Sequence, residues 1–103
     1  MIYVVATSEL KEGCREKFIE IAKANIPNVL AEEGCIMYQL NGNFDSGLPA
    51  QKDLDPNTLT FIECWESIDH LKKHLQAPHM KVFMENVKDL RKGSSLKVLT
   101  PVC

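Results

Sequence analysis

Between Cys64 and Phe83 the stretch CWESIDHLKKHLQAPHMKVF gathers the chain's one tryptophan, its three histidines and a proline. Imidazole changes charge near neutral pH, so a neutral ring beside an apolar hollow can act as general base toward a phenolic or enolic hydroxyl. At about 100° per residue, His74 falls at the edge of the stripe Ile68, Leu71, Leu75, and His70 lies further toward solvent. His79 follows Pro78 in the first turn of a second helical pattern, at the edge of the stripe Met80, Phe83, Val87. A helix N-terminus is a region of positive potential, which disfavours a protonated ring there. His74 and His79 are the candidate bases, bordering the space between helices and sheet. The plainer alternative is a half-buried surface residue at 74 and a turn cap at 79.

Other side chains fit the same site. Trp65 ends a strand pattern on the face that carries Leu59, Phe61 and Glu63, so it can be core or an aromatic wall with an N–H donor beside a flat ligand. Glu63 is a carboxylate among apolar neighbours, which requires a partner or a proton. Tyr38 on the neighbouring strand can add a phenol. Met80 and Phe83 can serve as core and as pocket walls together, since a small domain borrows its pocket from its core. Asn25 lies in the stripe of the first helix, just before Pro27, where it can bond the carbonyl that the proline frees or line the pocket. Glu66, His70 and His74 recur at i, i+4, i+8, a spacing that metal sites use. Glu66 belongs to the strand end, however, and His70 points away from the stripe, so no metal site is expected.

The elements that must position these groups follow from periodicity. Residues 2–8 read as a strand, and 12–32 as a helix ended by Gly34 and bent or split at Pro27. Residues 35–44 form a second strand with Ile36, Tyr38 and Leu40 on one face, and 58–65 a third. Between them DSGLPAQKDLDPN, residues 45–57, is rich in turn formers and is expected to be a mobile flap over a site. Ser67 caps a short helix, Pro78 opens another, Gly93 ends it, and residues 96–100 make a last strand. The order β-α-β-β-α-β predicts an α+β, ferredoxin-like, four-stranded antiparallel sheet with helices on one face, in one domain spanning 1–103. The bare face is expected to pack on a second copy.

Composition narrows the partners. The chain has 103 residues, with 12 basic and 14 acidic side chains and no basic run to track a phosphate backbone, so neither nucleic acid nor membrane is expected. The opening MIYVVATSEL lacks a basic n-region and a cleavage site, and reads as the first strand of a cytoplasmic protein. Cys14, Cys35, Cys64 and Cys103 are widely spaced, with no CxxC pair, and read as reduced thiols. There is no GxGxxG, P-loop or GxSxG, so the usual signs of nicotinamide, nucleotide and esterase chemistry are missing.

The stretches VLAEEGC and FIECWESIDHLKKHLQAPHMKVFMENVK resemble the antibiotic biosynthesis monooxygenase family, and within it the quinol monooxygenases of the YgiN type. The resemblance covers nearly the whole chain. It implies a dimeric α+β barrel, a homodimer joined through its sheet faces, with a pocket between sheet and helices in each subunit. It also implies oxidation of quinols or related aromatic phenols by dioxygen without flavin, metal or haem. His79 or His74 would supply the base, and Trp65, Phe83, Met80 and Tyr38 the flat apolar slot, with Phe61, Glu63 and Asn25 as further pocket residues. Relatives that oxidise aromatic polyketides carry an asparagine where this chain has Phe61, and haem-degrading relatives ligate iron near the position of Met84, so neither mechanism transfers. Processing of an autoinducer-2-type metabolite is the alternative within the family. A non-catalytic binder of planar metabolites is the alternative outside it.

Overall fold

A computed structural model describes residues 1–103. The elements run β1 (Ile2–Leu10), α1 (Arg15–Leu30), β2 (Cys35–Gly42), β3 (Thr58–Trp65), α2 (Ile68–Gln76), α3 (Pro78–Val87), a 3₁₀ turn (Lys88–Leu90) and β4 (Arg91–Leu99). The strands make one antiparallel sheet in the order β2-β3-β1-β4. This is the ferredoxin-like α+β arrangement expected from the element order.

The β1–β3 register explains where the core sits. Val4 opposes Glu63, Ala6 opposes Phe61 and Ser8 opposes Leu59, and these alternate positions face the helices. Phe18, Ala22 and Val29 of α1, Leu71 of α2 and Met80, Phe83 and Val87 of α3 close over them in one buried cluster. Full burial of one large apolar side chain contributes roughly 1.5–3 kcal/mol. Packing of this kind, rather than intrinsic propensity, holds helices as short as α2 and α3 in place.

The structure corrects several local expectations. α1 runs unbroken through Pro27, because the last turn closes beyond it: Ala31 N–H donates to the Pro27 carbonyl at 3.2 Å. Ile36 does not share a face with Tyr38. The register shifts between Cys35 and Met37, which leaves Ile36 half exposed. β4 begins at Arg91 and contains Gly93, which pairs with Glu9 beside a register shift; a Cβ there would lie 2.7 Å from a Glu9 carboxylate oxygen. None of residues 45–57, the expected flap, lines the cavity described below. They are tied to themselves, to the end of β2 and to the start of α1: Asp55 N–H donates to Asp53 Oδ1 (2.9 Å), Asn43 Nδ2 donates to the Asp55 carbonyl (3.0 Å), and Arg15 Nε donates to the Pro56 carbonyl (2.9 Å).

Candidate active site

The N-cap of α2 sets the rotation of that helix. Ser67 Oγ accepts the His70 backbone N–H at 3.3 Å, and the residues α2 then buries are Leu71 and His74. His74 is only 1% exposed, so the half-buried surface alternative does not hold. Its ring lies against the Trp65 ring, with centroids 4.6 Å apart, and meets Tyr38 edge-on at 5.5 Å. Nδ1 is 2.7 Å from Glu32 Oε2. A carboxylate accepts, so Nδ1 carries the proton and Nε2 keeps its lone pair. Burial pulls the His74 pKa below the ordinary imidazole value; Glu32 opposes this, and His79 adds to it. The result is a neutral ring at pH 7 with an acceptor nitrogen.

His74 forms part of the wall of a cavity of about 270 Å³ between the sheet and helices α2 and α3. Tyr38, Phe61, Met80 and Phe83 contribute to its apolar lining, and Glu63, Arg91 and Ser8 add polar groups to the wall that His74 shares. Glu63 is buried, and its carboxylate accepts the Trp65 indole N–H at 3.0 Å. Burial pushes the Glu63 pKa up, the Trp65 bond lowers it, and Glu32 raises it again. The Tyr38 phenol is pushed well above its ordinary value by burial and by the charges of Glu63, Glu32 and Cys35. The arrangement offers a mostly apolar cavity with one imidazole acceptor and a few polar groups in its wall.

Not every candidate reaches this cavity. Trp65 is fully buried and does not line it. Its N–H is taken by Glu63, so Trp65 is a plate behind His74 and not a donor to a ligand. His79 and Asn25 line a separate, more open groove between α1 and α3. Asn25 Oδ1 bonds His79 Nδ1 at 3.0 Å and accepts from Asn28 Nδ2 at 3.3 Å, instead of serving the backbone before Pro27. His79 does not cap its helix, where Ala77 holds the N-cap. Its Nε2 is buried and lies 3.2 Å from Glu32 Oε2, off the direction of a good hydrogen bond. The two rings, 6.5 Å apart, therefore meet at Glu32 and not in a shared cavity.

Glu32 is the residue that the sequence reading misses. The sequence pattern counts it as the last residue of the first helix, whereas α1 ends at Leu30 and leaves Glu32 in the turn beyond it. The available signal is the EEGC turn: Gly34 takes φ +84, and Cys35 N–H donates to the Glu32 carbonyl at 3.2 Å, reversing the chain beside Glu32. His70 belongs to another cluster, with Ser67 Oγ at 2.7 Å and Glu33 at 3.6 Å. No group of three His, Cys, Asp or Glu side chains is placed to hold a metal ion. All four cysteines are free.

A ferredoxin-like sheet with a slot under its helices and a buried histidine in the slot's wall defines a recognisable class. The profile of the antibiotic biosynthesis monooxygenase family matches residues 1–86, and the chain belongs to that family. It is 35% identical over 98% of both chains to the Escherichia coli K12 protein named "Probable quinol monooxygenase YgiN", and equally so to the Shigella flexneri protein of that name. Among solved structures it is similar to a conserved Methanosarcina mazei protein (TM-score 0.82, 25% identity, 95% of this chain and 89% of the other). A Mycobacterium tuberculosis protein shares the fold at TM-score 0.83, with 23% identity over 99% and 95% of the two chains. No helix is long and apolar enough to cross a membrane.

Proposed function

We propose that the protein is a cofactor-independent monooxygenase that oxidises quinols or related aromatic phenols with dioxygen. The observation that carries this reading is His74: a buried, neutral imidazole with its Nδ1 proton held by Glu32, placed in the wall of an apolar slot. Its Nε2 takes the hydroxyl proton of the bound quinol. The resulting quinolate is electron-rich and reduces dioxygen itself. One oxygen atom enters the ring and the other leaves as water, so a hydroquinone and dioxygen give a hydroxyquinone and water, and the substrate supplies all the electrons. Tyr38, Phe61, Met80 and Phe83 hold the ring and keep bulk water from the anion. Trp65 backs the imidazole, and Glu63 faces the polar end of the substrate. The active form is a homodimer joined through the outer sheet face, where Tyr3, Met37 and Leu99 are exposed.

The test is turnover of reduced menadione under ¹⁸O₂ with autoxidation subtracted. One label in the organic product supports the reading. Quinone without label, formed with hydrogen peroxide, reduces it to an oxidase, and saturable binding without turnover leaves a binder of planar metabolites.

A further inference from the structure

We infer that Glu32 is the positioning residue for the base, locking His74 in the tautomer whose Nε2 can accept a proton, and that His79, anchored by Asn25, packs against the same carboxylate oxygen and shields it from water. The inference rests on the reading of His74 as base and extends it to two residues that lie off the cavity.

The geometry is a continuous chain across separate elements. Asn25 comes from α1, Glu32 from the turn after it, His74 from α2 and His79 from α3. Glu32 Oε2 is the common point, 2.7 Å from His74 Nδ1 and 3.2 Å from His79 Nε2. The Glu32 side chain is 17% exposed and that of His74 2%, so water competes little for the shared oxygen.

Counting protons gives the arrangement its meaning. Asn28 Nδ2 donates to Asn25 Oδ1, which fixes that oxygen as the acceptor for His79 Nδ1–H. His79 Nε2 therefore faces Glu32 Oε2 either as a lone pair, which repels, or with a proton in the gap, which ties the carboxylate to the ring. On the other side, Glu32 as acceptor leaves His74 no choice but Nδ1–H, with Nε2 free for the substrate. Without this constraint a neutral imidazole distributes its proton between both nitrogens, and the Nε2–H form cannot take a quinol proton.

The decisive variant is Glu32→Gln. Because one atom of residue 32 meets both rings, the amide turns its NH₂ toward them, satisfying the His79 lone pair and forcing His74 into the Nε2–H form. The first readout is ¹⁵N NMR of the histidine rings without ligand, which does not depend on any activity. Wild type is expected to show His74 protonated at Nδ1, Glu32→Gln to show it protonated at Nε2, and His79→Ala to keep the wild-type tautomer but broaden the Nδ1 proton through faster exchange. The second readout is quinol-dependent oxygen uptake against pH. Glu32→Gln should lower kcat on the order of 10²-fold and move the acid limb of kcat/KM to lower pH, since Glu32 raises the His74 pKa. The other titratable groups around His74 are His79, Tyr38 and Glu63; the variant keeps all three side chains but removes a charge that raises the Tyr38 and Glu63 pKa values, so these fall as well. His79→Ala should reduce kcat less, with KM unchanged. Wild-type His74 protonated at Nε2, or an unchanged tautomer in Glu32→Gln, overturns the inference. If wild type has no quinol-dependent rate but the tautomers behave as stated, the positioning role of Glu32 stands and the quinol reading falls.

Discussion

At the scale of single residues, the chemistry depends on keeping a buried imidazole neutral. The His74 pKa is lowered from 6.5, so its acceptor form persists as the pH falls through that value. The acid limb of kcat/KM is therefore expected to be centred below pH 6.5. An acid limb centred above 6.5 would contradict a base of this kind. Glu63 behaves in the opposite sense. Its folded pKa lies above 4.5, so the folded state binds more protons than the unfolded chain, and stability falls as pH rises from 4.5 through the folded value. Glu63→Gln should therefore raise the thermal midpoint at pH 8 and leave it nearly unchanged at pH 4. A gain as large at pH 4 as at pH 8 would show that ionisation of Glu63 carries no such cost.

At the scale of elements, the EEGC turn does more than end α1. Gly34 adopts φ +84, and a Cβ there would overlap the His70 ring. Gly34→Ala is expected to cost about 1–3 kcal/mol, read as a lower urea midpoint, and to lower activity through misplacement of Glu32. Adding His70→Ala removes the ring but leaves the His70 Cβ, 2.8 Å from the added atom, and the backbone strain, so recovery should be partial. Full recovery would place all of the cost in the overlap. This turn also marks the limit of what the sequence reveals. Strand alternation groups Leu59, Phe61, Glu63 and Trp65 on one face, and the structure keeps Phe61 and Glu63 together in the cavity wall beside Tyr38, because a period of two is local. Helical periodicity left His74 and His79 both at stripe edges. It could not say that the indole of Trp65 and the carboxylate of Glu32 would draw one ring inward, while Asn25 held the other on the outer groove. The Glu32–His74 and Asn25–His79 contacts join residues 42 and 54 positions apart, and no local pattern encodes them.

At the scale of the whole molecule, the order β2-β3-β1-β4 places both the slot and the helices on one side and leaves the other side of the sheet uncovered. Tyr3 pairs with both Leu99 and Cys64 across the sheet, and Cys64 with Met37, so these form an apolar row on that outer face. If this row joins two copies, Tyr3→Lys should shift the sedimentation coefficient from dimer to monomer. A dimer that survives the change, or a wild type that is monomeric, would place the interface elsewhere. The family and the fold are common to many proteins, so the account finally stands on the base in the slot. Oxygen uptake with reduced menadione, autoxidation subtracted, for wild type against His74→Ala tests this most directly. The expected result is a quinol-dependent rate in wild type that falls on the order of 10²-fold or more in a folded variant; an undiminished rate in His74→Ala would contradict the account.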